Sequence, residues 1–510
     1  MPEQLEEEEG GVSYRAVDSG YFEKRTLRKH ARVWSLWALG VGAVISGHFS
    51  GWNLGLGQGG FGGLLFATAV IMVMYLGLCF SIAEMSPALP HTGGAYSFSR
   101  TALGPWGGFV TGLAENIEFV LTPAVIVFFI GAYLGNIFGT PVAFAPVWWL
   151  LCYALFVGLN LIGVEVSFRF SVFITLLALS ILAIFYVFAT PHFSLDQALN
   201  IGGKTADGKL FAAPAGTAQW LPFGWAGALA CLPFAVWFFL AIEQLPLAAE
   251  ESHDPKRDMP RGLISGILTL IVSAFLVLFL NSGVAGGAAA IGASGSPLLD
   301  GFKAIFTGPW AWLASALSLM AVAGLIASFH TIIFAYGRQI YSLSRAGYFP
   351  TVLSVTHGTR KVPHVALITG AVMGYVVMLI VWFGVGATRA EGFVGGTLLN
   401  MAVFGAMISY AMQALAFIFL RANLPHIERP FRSPFGVPGA VLTLLIALLT
   451  LYFQFADETY RHGVIGAAIW YTVWLAYFAL VGRKRLVRSP EEEFAVRERA
   501  RGVAAKASLT

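Results

Sequence analysis

The chain has 510 residues, of which 57% are hydrophobic and only 11% are charged, whereas a soluble domain carries about 25% charged residues. This composition excludes an ordinary soluble enzyme, a disordered protein and a nucleic-acid-binding protein, and the formal net charge of +4 is small. Roughly 20 apolar residues cross a bilayer as one helix, so the lipid bilayer is the expected surrounding of most of this chain.

Apolar runs, divided by charge clusters and turn residues, predict an all-α integral membrane protein with twelve transmembrane helices. The runs are too long for strands and lack the alternation of a membrane barrel. The predicted helices cover residues 33–57, 61–88, 105–136, 146–164, 169–190, 222–247, 262–283, 310–342, 363–385, 396–420, 436–456 and 462–482.

The distribution of basic residues predicts the orientation in a cytoplasmic membrane. An even helix number puts the predicted tails, 1–32 and 483–510, on one side, and that side receives most of the 31 Lys and Arg residues. Cytoplasmic segments carry the excess of Lys and Arg, so both termini are expected in the cytoplasm. The opposite side receives only Lys204, Lys209, Lys303, Arg389 and Arg461.

The first and sixth runs are interrupted. Eight glycines lie between Gly40 and Gly60, and the sixth run has Glu243 in an apolar stretch between Pro233 and Pro246. Unwound backbone at membrane depth is tolerated where it lines a cavity, and one interrupted helix in each half is typical of an inverted-repeat transporter. Glycine-mediated helix packing is the alternative. The expected substrate-binding residues at the two interruptions are Ile45, Ser46, Gly47, His48, Phe49, Ser50, Phe239, Leu240, Ala241 and Ile242.

The third helix carries two carboxylates on one face. Thr111, Glu115, Glu118 and Thr122 have offsets of 0, 4, 7 and 11, which places them on one helical stripe. A charge near the bilayer centre costs about 3 kcal/mol, so this stripe is expected to face a polar cavity or a cation. It predicts a wall that binds an ammonium or carries a proton. The alternatives are a structural ion pair and a position of Glu115 nearer the membrane surface.

Three further polar residues are candidates for coupling or gating. Glu243 lies at the sixth-helix interruption, where a hydrogen-bonding role in the broken helix is equally compatible, and Ser328 and His330 lie in helix 8. A lone His on an apolar helix is more often a satisfied core group than a ligand. The sequence offers no catalytic constellation, no metal-ligand spacing and no cofactor motif, so the prediction is a protein that is not an enzyme.

Three motifs make the chain resemble the amino acid–polyamine–organocation superfamily over about residues 33–482. They are Ala83-Glu84-Met85-Ser86-Pro87 with Pro90-His91-Thr92-Gly93-Gly94-Ala95-Tyr96, Ala249-Glu250-Glu251 with Asp254-Pro255-Lys256-Arg257-Asp258-Met259-Pro260-Arg261, and Gly337-Arg338-Gln339-Ile340-Tyr341-Ser342-Leu343-Ser344-Arg345-Ala346-Gly347-Tyr348-Phe349-Pro350. The resemblance implies a LeuT-like five-plus-five inverted repeat with broken helices 1 and 6. Repeat 1 would then span 33–190 and repeat 2 would span 222–421, followed by helices 11 and 12 in 436–482.

Within that superfamily, two stretches resemble ethanolamine permeases. They are Val44-Ile45-Ser46-Gly47 with Gly51-Trp52-Asn53-Leu54-Gly55-Leu56, and Glu115-Asn116-Ile117-Glu118-Phe119-Val120 with Pro123 and Gly131-Ala132-Tyr133. The resemblance implies a secondary active transporter that imports ethanolamine by alternating access. A permease for neutral or cationic amino acids is the alternative.

The coupling ion is expected to be a proton rather than sodium. Proton-coupled relatives often place a Lys in the fifth helix, where this chain has Ala178, so a buried Glu would have to substitute for it. Sodium coupling through hydroxyls such as that of Ser328, and uptake without any coupling, stay open.

Overall fold

The structure is a computed structural model. It describes residues 5–9, 11–15, 17, 20–22, 24–25, 27–89, 93–205, 208–214, 216–385, 391–458, 460–488, 493 and 497–498. Three parts of the predictions lie outside the described residues. They are residues 90–92 of the first superfamily motif, Arg389, which is expected on the non-cytoplasmic side, and most of the C-terminal tail.

The described part of the chain is dominated by helices. The α-helices are α1 Val33–Val44, α2 Ser46–Phe49, α3 Leu56–Ala88, α4 Gly94–Phe138, α5 Ala145–Ile162, α6 Val164–Ala189, α7 Leu195–Ala198, α8 Gly224–Ala230, α9 Leu232–Val236, α10 Pro255–Ser282, α11 Gly287–Ala293, α12 Pro297–Ile305, α13 Ala311–Arg345, α14 His364–Val385, α15 Glu391–Asn423, α16 Gly436–Ala456 and α17 Arg461–Leu480. The 3-10 helices are Trp52–Gly55, Val142–Phe144, Thr190–His192, Ile242–Glu251, Gly308–Trp310, Thr351–Ser354 and Gly482–Lys484.

Ten helices in the described residues are long and apolar enough to cross a membrane, and two shorter apolar helices cover Val33–Phe49 and Gly224–Val236. The predicted class of a multi-pass helical membrane protein is therefore confirmed. The observed bounds follow the hydropathy runs closely, since α16 covers the predicted 436–456 and α13 covers 311–345 against the predicted 310–342.

Two glycines separate helices that the hydropathy pattern also separates. Gly60 has φ 72° and ψ −175°, which divides α3 where the sequence predicts the second helix to begin. Gly104 has φ 79° and ψ −174°, so the membrane part of α4 starts at Pro105, as predicted. Glycine reaches these dihedral angles without the clash that a Cβ would cause.

Helix α4 lies at the centre of the molecule, packed against α13 and α15. Of its most apolar 18-residue window, 89% is buried inside the protein, compared with 22% for α17, which presents its side chains outward. The helix that carries the predicted carboxylates is therefore enclosed by other helices rather than by lipid.

Two short hairpins correct the expectation that strands are absent. Strand β1, Leu5–Glu9, pairs with β2, Val12–Arg15, and β3, Ile201–Lys204, pairs with β4, Leu210–Ala212. Both hairpins lie outside the apolar runs, so hydropathy gave no signal for them. Tyr14 also bridges to Leu486, which brings the N-terminal and C-terminal segments together at one end of the molecule.

Candidate functional site

The first interruption lies at Ser50 and Gly51. Helix α1 continues through Ile45 into α2, so the predicted unwound segment 45–50 is mostly helical. The chain then becomes extended at Ser50 (φ −160°, ψ 161°) and turns at Gly51 (φ 95°). The glycine-rich sequence indicates the region of the interruption, but it does not show at which residue the chain leaves the helix.

Ser328 of α13 holds this part of α1 and α2 in place. Its hydroxyl donates to the Gly42 carbonyl at 2.7 Å and accepts the Ser46 backbone N–H at 2.8 Å. Ser328 and Ser46 are both buried, so the two bonds fix backbone groups that water does not reach.

The second interruption lies in the predicted segment 239–242. Helix α9 ends at Val236, and the 3-10 helix Ile242–Glu251 begins after Ala241, which has φ 80°. The left-handed conformation costs a residue with a Cβ about 1–2 kcal/mol, so the surrounding packing must hold Ala241 in place. Phe239, Leu240, Ala241 and Ile242 are all buried.

The two interruptions contact each other directly. The Trp237 indole donates to the Ser50 carbonyl at 3.0 Å, and the Gly47 Cα faces the Trp237 carbonyl so closely that a Cβ would overlap it. The Phe49 carbonyl accepts the Tyr133 hydroxyl at 3.0 Å. The residues proposed to surround a substrate are therefore assembled in one place by contacts between the two segments.

Both ring nitrogens of His48 form hydrogen bonds with other protein groups. Nε2 lies 3.2 Å from the Phe238 carbonyl oxygen, and Nδ1 lies 2.8 Å from the Ser273 hydroxyl. A carbonyl only accepts, so Nε2 carries the proton and Nδ1 accepts from Ser273. His48 thus ties α2 to the second interruption and to α10.

Three carboxylates of the described residues form a buried cluster next to these segments. Glu115 accepts from the Gln339 amide at 2.8 Å, and Glu118 accepts from the Tyr410 hydroxyl at 3.3 Å. Glu115, Glu118 and Glu243 are 1%, 0% and 2% exposed. The Tyr410 hydroxyl also lies 2.9 Å from that of Tyr75, which extends the polar chain to α3.

The Glu118 and Glu243 carboxyl groups lie close to each other in the buried cluster. Within the described residues, the second oxygen of Glu118 and both oxygens of Glu243 have no hydrogen-bond partner. The two carboxyls are held by different elements, α4 and the 3-10 helix Ile242–Glu251.

None of the ion pairs in the described residues involves the cluster. Two other buried carboxylates do have basic partners: Glu251 lies 2.9 Å from Arg338, and Glu84 lies 2.6 Å from Arg421. Buried charges in proteins are normally paired or hold a ligand. The cluster therefore has the chemistry of a cation site. No group of three or more His, Cys, Asp or Glu side chains in the described part of the chain is arranged to hold a metal ion.

His330 lies in a different polar cluster. Its Nε2 is 3.0 Å from the Ser167 hydroxyl, and its Nδ1 is 3.2 Å from the Asn160 amide. These partners belong to α5 and α6, so the structure does not bring His330 to the carboxylates. The core-group alternative given for it fits this placement.

Sequence reasoning missed the side chains that contact the carboxylates. Tyr75, Gln339 and Tyr410 are fully buried and come from α3, α13 and α15. Polar residues inside apolar helices were the available signal, but contacts over more than 200 positions cannot be read from periodicity.

The fold and site define a multi-pass helical membrane protein with a buried polar centre. The chain belongs to the amino acid permease family, whose family model matches residues 36–488. This confirms the predicted superfamily, while the narrower resemblance to ethanolamine permeases stays a prediction. The family and the named relatives are transporters.

Several curated proteins are similar along most of their length. An uncharacterized transporter of Rhizobium meliloti is 27% identical over 431 residues, covering 82% of this chain and 84% of that protein. The methylthioribose transporter of Bacillus subtilis is 24% identical, covering 90% and 95%. The branched-chain amino acid permease BcaP of the same organism is 22% identical, covering 90% and 94%.

Solved structures confirm the fold alone. The manganese transporter of Eremococcus coleocola, in complex with an aromatic bis-isothiourea compound, has a TM-score of 0.52 at 14% sequence identity. The alignment covers 94% of this chain and 98% of that one. A histidine-to-alanine mutant of the same transporter gives a TM-score of 0.53 at 14% identity, covering 94% and 99%.

Proposed function

We propose that this chain is a secondary active transporter that imports ethanolamine by alternating access across a cytoplasmic membrane, with both termini in the cytoplasm. In this proposal the chain forms twelve transmembrane helices in two inverted repeats, and the interruptions at Ser50–Gly51 and Ala241 belong to helices 1 and 6. The meeting of Tyr14 with Leu486 supports termini on one side.

The unpaired carboxylate cluster is the observation that carries the substrate proposal. Ethanolamine is an ammonium with a hydroxyl and no carboxylate, so Glu115, Glu118 and Glu243 attract all of its charge. A zwitterionic amino acid would bring its own carboxylate close to three others. Like charges brought together in a buried site repel strongly, which disfavours that substrate.

An amino acid permease is the second candidate, and the relatives favour it. BcaP is a branched-chain amino acid permease, and a D-serine/D-alanine/glycine transporter of Escherichia coli is 24% identical over 401 residues. In this alternative, backbone N–H groups at the Ser50–Gly51 interruption would bind the substrate carboxylate, as helix ends do for anions. The carboxylate cluster would then hold only the ammonium.

A proton is proposed as the coupling ion. The Glu118 and Glu243 carboxyls are buried and have oxygens without a hydrogen-bond partner in the described residues, which provides a place for one proton. The Ser328 hydroxyl, the proposed sodium ligand, already binds the Gly42 carbonyl and the Ser46 N–H. This favours the proton over sodium.

Uptake of labelled ethanolamine into proteoliposomes tests the proposal, with proton and sodium gradients imposed separately and with unlabelled alanine, leucine and lysine as competitors. The expected result is saturable uptake driven by an inward proton gradient and resistant to all three amino acids. Uptake of labelled alanine, leucine or lysine without any uptake of ethanolamine would favour the amino acid permease and refute the ethanolamine proposal.

A further inference from the structure

A groove of about 790 Å³ runs along the outer surface between α1 and α10, outside the carboxylate site. Its lining residues lie in 33–37 at the start of α1 and in 260–269 of α10, and Phe431 also lines it. The side chains that line it include Trp34, Trp37, Arg261, Ile264, Leu268 and Phe431.

The walls of the groove are apolar and turned outward. Trp34 is 75% exposed and Leu268 is 52% exposed, which is unusual for such side chains in contact with water. Helix α10 has an apolar window long enough to cross a membrane, so its outward face meets lipid. Tryptophan is enriched at the membrane–water boundary, which places Trp34 at headgroup level.

One basic side chain, Arg261, lines the groove, and two others lie near the starts of the same helices. Arg32 directly precedes α1, and Arg257 and Arg261 lie one turn apart at the start of α10; all three are exposed. None of them takes part in an ion pair within the described residues. The intervening Asp258 is only 9% exposed.

We propose that this groove binds one anionic phospholipid, with an acyl chain against Trp34, Trp37 and Leu268 and the phosphate at Arg32 and Arg261. The charge fits a phosphodiester, and the apolar side chains that line the groove beside Arg261 fit an acyl chain rather than a soluble anion. A basic residue at the membrane surface contributes about a fivefold gain in affinity for an anionic lipid, so the two together contribute about 25-fold.

Native mass spectrometry of the purified full chain tests this proposal. The probes are phosphatidylglycerol and phosphatidylethanolamine with identical acyl chains, and sn-glycerol 3-phosphate as a soluble competitor. We expect one phosphatidylglycerol retained in preference to phosphatidylethanolamine and not displaced by the soluble phosphate. The double variant Arg32→Gln/Arg261→Gln should lose about 25-fold of this preference.

Arg169→Gln is the matched control, because Arg169 is an exposed arginine of another helix, with 75% of its side chain exposed. It should retain the lipid as the unmodified chain does, and equal melting temperatures of all three proteins would exclude misfolding. Four results would each overturn the proposal. They are equal retention of the two lipids, displacement of the lipid by glycerol phosphate, unchanged retention by the double variant, and a dimer mass in place of the lipid adduct.

Discussion

Substitution of Glu118 by Gln separates a binding role of the cluster from a structural one. The change removes one negative charge and keeps the size of the side chain and an oxygen that can accept from Tyr410. An ammonium about 4 Å from a carboxylate gains about 4 kcal/mol at an effective dielectric constant near 20. Glu115 and Glu243 remain, so we expect a loss of about 2–4 kcal/mol, or roughly 30- to 1,000-fold in kcat/KM.

The same variant, which is expected to transport less well, is not expected to be less stable. Glu118 is fully buried next to two other carboxyl groups and forms no ion pair in the described residues, so neutralising it removes repulsion without leaving a basic partner unpaired. The melting temperature should therefore be unchanged or higher.

Uptake kinetics and thermal unfolding of purified protein, measured together, check both expectations. Glu165→Gln is the matched control, since the Glu165 side chain is 45% exposed and pairs with Arg169 on the surface of α6. It should leave uptake unchanged. A Glu118→Gln variant that transports normally, or that loses transport and stability together, would refute the binding role.

Two further substitutions test the surroundings of the site. Tyr410→Phe removes the 3.3 Å hydrogen bond to Glu118, and we expect about a tenfold higher KM for uptake, since a hydrogen bond to a charged group contributes about 1.5 kcal/mol or more; an unchanged KM would contradict this. Gly47→Ala places a Cβ against the Trp237 carbonyl, so unfolding should cost about 1–3 kcal/mol less and transport should fall. Gly57→Ala is its control in the same glycine-rich region, because the new Cβ meets only a leucine carbon at 3.7 Å; equal melting temperatures of the two variants would argue against the close contact.

Hydropathy predicted the long helices well because burial in lipid depends on local composition. The 436–456 helix and the start of the third membrane helix at Pro105 agree with the predicted positions. The hairpins β1–β2 and β3–β4 depend on pairing outside the apolar runs, so composition did not reveal them.

The candidate site was predictable in part. Helical periodicity placed Glu115 and Glu118 on one face, and the proline and glycine pattern marked the interruption near Ala241. Periodicity could not show that Tyr410 donates to Glu118 from a helix 292 positions away. It also could not show that His48 is held by both ring nitrogens.

The proposed recognition of an ammonium by the carboxylates is tested most directly by displacing bound labelled ethanolamine from the purified protein. Ethylamine keeps the ammonium and lacks the hydroxyl, whereas ethylene glycol keeps the hydroxyl and lacks the ammonium. We expect ethylamine to displace ethanolamine within about tenfold of its affinity, since one neutral hydrogen bond contributes about 1 kcal/mol, and ethylene glycol to have no effect. Displacement by ethylene glycol but not by ethylamine would contradict the assignment of Glu115, Glu118 and Glu243 as the ammonium site.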